Sequence, residues 1–247
     1  MMYVKKIMIL SKKELKDAFS SPLIYILAGL FSLMMGWLFF NYLLQSKEMT
    51  TTTMTQGVIT PIFGNINFIF IFLCPLITMR SFAEEKRQHT LDLLLRSELT
   101  EMQIILGKFI SNVLLVFFML SLTILFPVIL MFSGYSDWGV VWSSYLGIAL
   151  CVMAYTSVGL FCSSLTDNQI VASLMTFCIL LGSMLLVISV NATNNYLFAL
   201  IIQYLTIPFH YEGFTRGLLR SYSFIYFISY LTFFFMLTLK SLQSRKW

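Results

Sequence analysis

The chain has 247 residues, of which 58% are hydrophobic and 11% are charged, and its formal net charge is +5. A soluble domain is about half apolar and about one quarter charged, so this composition excludes that class and predicts an integral membrane protein. The basic residues cluster at the ends of apolar runs without forming a basic stripe, which excludes a nucleic-acid-binding protein. The four cysteines fall inside apolar runs without CxxC spacing, so neither a disulfide framework nor a metal site is indicated.

Residues 1–20 are predicted to form an interfacial helix. Apolar side chains recur there at helical spacing, and five lysines fall largely on the other face: Lys5, Lys6, Lys12, Lys13 and Lys16. A basic amphipathic helix of this kind is expected to lie on anionic lipid. A cleaved signal peptide is the alternative, but the apolar run at residues 7–10 is too short for its core.

The rest of the pattern predicts an all-α integral membrane protein with six transmembrane helices in a single domain, residues 1–247. Six apolar stretches are long enough to cross a hydrocarbon core of about 30 Å. They are residues 22–44, 59–79, 104–132, 140–165, 170–190 and 221–239. Pro61, Gly64 and Pro75 make the second stretch the easiest to break. The apolar run at 196–209 has only 14 residues, which predicts a short re-entrant or interfacial helix before the last span.

Lysine and arginine are distributed unequally between the two sides of this arrangement. Five precede the first span, four lie between the second and third spans with a fifth, Lys108, in the lower turn of the third, and three end the chain, against Lys47, Arg216 and Arg220 on the other side. Because positively charged loops stay in the cytosol, both termini are predicted to be cytoplasmic. A seven-span arrangement has a similar charge distribution, so the length of the segments decides between the two.

A few weakly polar side chains within the spans are candidates for a substrate path or a dimer interface. Asn65 and Asn67 lie near the outer end of the second span, and ordinary interhelical hydrogen bonds are the alternative for them. Ser173, Thr176 and Ser183 belong to a fifth span that is rich in small residues. Such a helix is expected to pack at a symmetric interface or to face a cavity.

Residues 81–109 form the one long polar stretch inside this apolar sequence. Its carboxylates and cations cannot lie in hydrocarbon. Leu91, Leu94 and Leu95 recur at the spacing of one helical face, which indicates a short amphipathic helix. Residues 81–100 are therefore predicted to form a cytosolic coupling helix, a contact surface for a separate motor protein.

Two capping boxes are predicted at the ends of this coupling segment. Thr100 with Gln103 has the spacing of such a box and starts the next membrane helix in the cytosol. Ser81 and Glu84 have the same spacing, so Glu84 is either a helix cap or a residue of the contact surface.

The sequence carries no nucleotide-binding or hydrolytic motif. Gly107 and Lys108 are followed by Phe109, without the earlier glycine of a phosphate-binding GxxxxGK[ST] loop. HExxH and GxSxG are absent as well, and the spans contain almost no ionisable residues, which argues against an ion-coupled carrier. The chain is therefore predicted not to be an enzyme, and its energy source must be a separate protein.

Three parts of the chain resemble a known family. They are Glu14 with Ser21, Pro22 and Tyr25, the stretch FAEEKRQHTLDLLLRSELTEMQIILGKF at 82–109, and FHYEGFTRG at 209–217. Together they resemble the permease subunit of a type-2 ABC exporter, closest to the gliding-motility permeases. His89 departs from the family pattern, which usually has glycine there, and Glu98 stands where proline is usual.

The resemblance implies a six-span permease in the bacterial inner membrane that pairs with a second permease copy, identical or related. It also implies two cytosolic ATPase subunits that hold ATP and Mg, with no cofactor in this chain. The residues of the coupling segment that it assigns to ATPase docking are Glu84, Glu85, Lys86, Arg87, Thr90 and Leu94. The expected function is a transmembrane permease subunit that couples ATP hydrolysis to substrate movement. A membrane anchor or assembly factor that docks a cytosolic protein without transport is the alternative.

Overall fold

The computed structural model describes residues 2–48, 55–97, 99–132, 135, 137–192 and 196–244. In these residues the chain forms α-helices and one short π-helical segment, Thr55–Ile59, and no strand. The α-helices, in chain order, are α1 (Met2–Ser20), α2 (Pro22–Glu48), α3 (Thr60–Thr78), α4 (Arg80–Arg87), α5 (Leu91–Leu95), α6 (Glu101–Leu122), α7 (Leu125–Phe132), α8 (Trp138–Leu165), α9 (Gln169–Ala192), α10 (Tyr196–Leu205), α11 (Ile207–Thr215) and α12 (Ser221–Gln243).

Six helical stretches of the described residues are long and apolar enough to cross a membrane. They are Pro22–Ser46, Thr55–Arg87, Glu101–Phe132, Trp138–Leu165, Gln169–Val187 and Ser221–Gln243. This confirms the predicted all-α membrane fold with six spans. Residues 49–54, after α2, and residues 133, 134 and 136, before α8, lie outside the described residues.

Helix α8 forms the centre of the bundle and contacts α3, α6, α9, α11 and α12. Two glycines allow its closest contacts. A Cβ on Gly159 would lie 2.6 Å from Thr78 Cβ in α3, and a Cβ on Gly147 would lie 2.8 Å from Phe214 Cγ in α11. Helices approach this closely only where one of them lacks a side chain. The small residues of α8 therefore set the positions of the helices around it.

The two spans that contain an internal proline differ in their continuity. The second span, the easiest to break by its sequence, does not break at Pro75, because α3 runs through that residue to Thr78 and α4 begins two residues later. The third span, expected to be one helix over residues 104–132, is interrupted between Leu122 and Leu125. Pro127 explains this interruption, since its ring removes an N–H donor and clashes with the carbonyl four residues earlier, that of Thr123.

The short apolar run before the last span forms two helices, α10 and α11. Thr206 has an extended backbone between them, and Pro208 lies in the first turn of α11. His210 of α11 joins the neighbouring elements, because its Nε2–H donates to the Tyr204 carbonyl (3.0 Å) and its Nδ1 accepts from the Ser223 hydroxyl (3.3 Å). Whether this hairpin re-enters the membrane stays a prediction.

Helix α1 packs against α6, where Leu10 lies against Gly107, and Ile7, Leu10 and Ser11 of α1 are buried. Part of the apolar face of α1 is therefore covered by another helix of the protein. Among the predicted lipid-contacting lysines, Lys6 is partly exposed and the others are exposed: Lys5, Lys12, Lys13 and Lys16. Their contact with anionic lipid stays a prediction.

Candidate functional site

The coupling segment, residues 81–100, folds as two short helices joined by a tight turn. Helix α4 follows α3 almost without interruption, because Met79 between them keeps a helical backbone. The turn at residues 88–90 contains His89, whose φ is 55°, in the left-handed region that favours glycine. It leads into α5, and α4 therefore extends the second span out to this turn.

The two predicted capping boxes have opposite outcomes. The one at Thr100 and Gln103 is confirmed: the Thr100 hydroxyl accepts from the Gln103 N–H (3.3 Å), and Gln103 Oε1 accepts from the Thr100 N–H (2.9 Å). The one at Ser81 and Glu84 is wrong, because Ser81 lies inside α4. The Ser81 hydroxyl accepts instead from Asn112 Nδ2 of α6 (2.7 Å).

Helix α4 is fixed to the end of α8 by polar contacts. The Ser163 hydroxyl oxygen accepts from the backbone N–H groups of Phe82 and Ala83 (3.0 Å each) and donates to the Met79 carbonyl (3.1 Å). The buried Lys86 ammonium donates to the Ser164 carbonyl. Because the first N–H groups of a helix need acceptors, Ser163 serves as a cap supplied by another helix. The coupling segment is thus attached to the central helix of the bundle.

A buried charge cluster joins α4 to α1 and α6. Lys108 of α6 is only 1% exposed, and its Nζ lies 2.9 Å from Glu14 Oε1 of α1 and 2.7 Å from Glu85 Oε1 of α4. The same ammonium lies 5.4 Å from the centre of the Phe82 ring. We call these three residues, Glu14, Lys108 and Glu85, the charge clasp. Sequence reasoning missed it; the available signal was a lysine inside the apolar sequence of the third span.

The six predicted coupling residues do not share one surface. Glu85 and Lys86 point into the protein, whereas Arg87 and Thr90 are exposed. Glu84 is partly exposed and accepts from Gln88 Nε2 (2.6 Å), with Arg87 at 3.7 Å. Their contact with an ATPase stays a prediction.

The leucines of α5 also differ in burial, because some pack on the protein and one is exposed. Leu94 is partly buried against a small apolar cluster that includes Phe82, Leu91 and Leu10. Leu93 is 70% exposed, although it lies in a polar segment outside the candidate spans. Sequence reasoning missed Leu93, because the helical spacing of Leu91, Leu94 and Leu95 identified only the face that packs on the protein.

A cavity of about 970 Å³ lies beside the charge clasp. Its walls combine charged side chains such as Arg80 and Glu84 with apolar side chains from the ends of the first two spans, such as Ile24 and Leu76. The coupling segment and the spans thus border the same open space. A displacement of α4 would change the shape of this cavity.

The weakly polar residues of the spans make local or interhelical hydrogen bonds. Asn65 Nδ2 donates to the Tyr42 hydroxyl of α2 (2.7 Å), and Asn67 Oδ1 accepts from the Tyr155 hydroxyl of α8 (2.9 Å). In α9 three hydroxyls donate to carbonyls of their own helix: Ser173 to Ile170, Thr176 to Ala172 and Ser183 to Leu180. Asn65 and Asn67 thus link neighbouring helices, whereas the three hydroxyls are satisfied within α9. The role of these residues in a substrate path or a dimer interface stays a prediction.

Residues 40–239 match the family model described as "ABC-2 family transporter protein". This chain belongs to the ABC-2 transporter family. The matched range contains the coupling segment, Lys108 and the α10–α11 hairpin. The comparison with curated proteins found no match. The ABC-2 match supports a multi-pass permease subunit of an ABC transporter, and membership implies an ABC ATPase partner and membrane lipid. Permeases of this family are typically non-catalytic membrane subunits.

Proposed function

We propose that this ABC-2 permease is the membrane subunit of an exporter of the gliding-motility type, driven by a separate cytosolic ATPase that binds ATP and Mg. It works together with a second permease copy in the bacterial inner membrane, with both termini in the cytoplasm. The observation that carries this proposal is the coupling segment: an exposed surface on α5 is joined through α4 to the second span and to α8. The ABC-2 match favours this permease over a non-transporting anchor.

The mechanism follows from these attachments. When the ATPase subunits close on ATP, they press on α5 and the turn before it. Because α4 continues α3 and is capped by Ser163 of α8, the displacement reaches both spans without passing through a flexible linker. A ligand shifts an equilibrium only through unequal contacts with the two states, so the open and closed forms of the ATPase must hold this surface differently.

The exposed residues suit a docking contact of mixed character. Leu93 offers an apolar side chain, whose full burial is worth about 1.5–3 kcal/mol. Arg87 and Arg96 are exposed on either side of it in the sequence. Rim charges mainly tune association and specificity, while central apolar side chains contribute more to affinity. The expected partner surface is an apolar pocket with carboxylates at its rim.

Co-purification with an ABC ATPase from the same genome tests this proposal. In the tagged wild-type chain we expect an ATPase with a phosphate-binding loop to co-purify, and we expect no ATP turnover by the chain alone. Leu93→Asp should reduce the bound ATPase by about tenfold or more, because it places a charge in the apolar contact. Arg87→Glu should weaken binding in a salt-dependent way.

Leu219→Asp is the matched control, because Leu219 is 58% exposed but lies between α11 and α12, far along the chain from the coupling segment. It should leave co-purification unchanged. ATP hydrolysis by the isolated chain, or equal ATPase binding by the wild type and Leu93→Asp, would contradict the proposal.

A further inference from the structure

The charge clasp joins three elements that are far apart in the sequence. Glu14 lies on α1, Glu85 on α4 and Lys108 on α6, and both carboxylates reach the same ammonium at 2.9 Å and 2.7 Å. Lys108 is almost completely inaccessible to water, whereas its partners are 23% and 21% exposed. The lysine is therefore the shared centre of the contact.

The charges of the clasp do not balance within it. Two carboxylates share one ammonium, and Glu85 Oε2 is buried without a hydrogen-bond partner among the described residues. A buried ammonium is costly unless carboxylates stay in contact with it. Separation of either carboxylate would leave the buried ammonium with only one of its two charged contacts, so α1 and α4 are both held to Lys108.

Packing next to the clasp leaves α1 little room to shift along α6. A Cβ on Gly107, the residue before Lys108, would lie 2.8 Å from Leu10 Cδ2 of α1. This close approach places α1 directly on α6 at the level of the clasp. Helix α4 also contacts Ser163 and Ser164 of α8. Helix α4 thus connects α8 to α1.

We propose that Lys108 is a positioning residue that makes the N-terminal helix α1 move together with the coupling segment. This inference rests on the proposed function only in that the ATPase supplies the push on α4. The contacts of the charge clasp lie within this chain and do not require the ATPase. A push on α4 is transmitted through Glu85 and Lys108 to Glu14, and the basic helix α1 follows. The N-terminal helix is then a moving part of the transmission and not a passive anchor.

Distances between spin labels on α1 and α4 test this proposal. Labels are placed at Lys12→Cys and Gln88→Cys, both exposed, in a chain whose exposed Cys178 is changed to serine; the other three cysteines are buried. In the permease alone, the wild-type distance distribution should be narrow. Glu14→Gln should broaden it about twofold, because α1 loses its charged contact while α6 and α4 keep theirs. Lys108→Met should broaden it as well.

Asp17→Asn is the matched control, because it removes an exposed carboxylate on the same helix, one turn further along. It should keep the narrow wild-type distribution. In the complex with the ATPase, the wild-type distance should stay the same without nucleotide and with trapped ATP, whereas in Glu14→Gln it should differ between the two states. If the clasp has only a static role, the distance in Glu14→Gln would also be the same in the two nucleotide states.

The proposal is overturned if Glu14→Gln is as narrow as Asp17→Asn in the permease alone, or if the wild-type distance changes when ATP is trapped. Failure of the proposed function has a different signature, since then no ATPase binds the wild-type chain. In that case the distance distribution measured in the permease alone still tests whether the charge clasp holds α1 to α4.

Discussion

At the scale of single residues, His89 shows why the coupling segment resembles its family and also departs from it. The chain resembles permeases that usually have glycine at this position, and in the structure the residue has a φ of 55°. Within the described residues it is the one non-glycine residue with a positive φ. A left-handed backbone costs an L-residue about 1–2 kcal/mol, and glycine avoids that cost. The preference for glycine thus follows from the turn that joins α4 to α5.

We expect the effect of substitutions at His89 on the free energy of unfolding to depend on the backbone conformation of this residue and not on contacts of its side chain. His89→Gly should leave the free energy of unfolding unchanged or raise it by up to about 1 kcal/mol, and His89→Val should lower it by about 1–2 kcal/mol, because a β-branched residue tolerates this region poorly. Chemical denaturation in detergent measures both. Arg96→Val is the control, since Arg96 has a φ of −85°. Equal effects of valine at positions 89 and 96 would contradict the explanation.

At the scale of elements, the crossing of α3 and α8 depends on a single glycine. Gly159 meets the Thr78 side chain, which is held in place because its hydroxyl donates to the Cys74 carbonyl of its own helix (2.8 Å). Thr78 therefore cannot rotate away from an added methyl group without losing that hydrogen bond. Since α4 continues α3, this crossing also determines where the coupling segment emerges.

Gly159→Ala should lower the free energy of unfolding by about 1–3 kcal/mol, the usual cost of overpacking a tight contact. Unfolding titrated with a denaturing detergent measures this. Gly182→Ala is the control in another membrane helix, because a Cβ there would meet no atom within 4 Å. It should be neutral or stabilising by up to about 1 kcal/mol, the difference in helix propensity between alanine and glycine. If both variants unfold alike, the glycine contact does not hold the two helices together.

At the scale of the whole molecule, the six candidate spans divide into central and peripheral helices. In an 18-residue apolar window of each span, 67% of the residues are buried in the stretch that contains α3 and 72% in α8, but only 17% in α9 and 22% in α12. The peripheral helices expose apolar side chains, as expected for surfaces that meet lipid or a second copy. The buried lysines Lys86 and Lys108 both lie at α4, Lys86 within this helix and Lys108 in contact with its Glu85.

Membrane orientation is tested with reporter fusions. The distribution of lysine and arginine predicts that a reporter after Gln45 lies outside the cytosol and a reporter after Trp247, which is beyond the described residues, lies inside it. A fusion after Ser97, in the coupling segment, should give the same cytosolic signal as the one after Trp247. A periplasmic signal at Trp247 would show an odd number of spans and overturn the six-span topology.

Much of the fold was predictable because its signals are local along the chain. Stretches of about 20 apolar residues identify membrane helices without reference to their neighbours. The box at Thr100 and Gln103 depends on residues only three positions apart. The same spacing at Ser81 and Glu84 was misleading, because a capping box also requires the helix to begin there, and α4 had already begun at Arg80.

The sequence by itself determined the class of the protein, the number of its candidate spans and the location of its polar coupling segment. The hydropathy and charge of a segment depend only on its own residues, so each segment can be assigned from the sequence without knowing what it packs against. Only the tertiary structure decided which side chains of that segment point inward. Lys108 meets partners 94 and 23 residues away in the chain, and no local pattern relates them. Their contact exists because α1, α4 and α6 meet in space, and that meeting depends on the packing of the whole bundle.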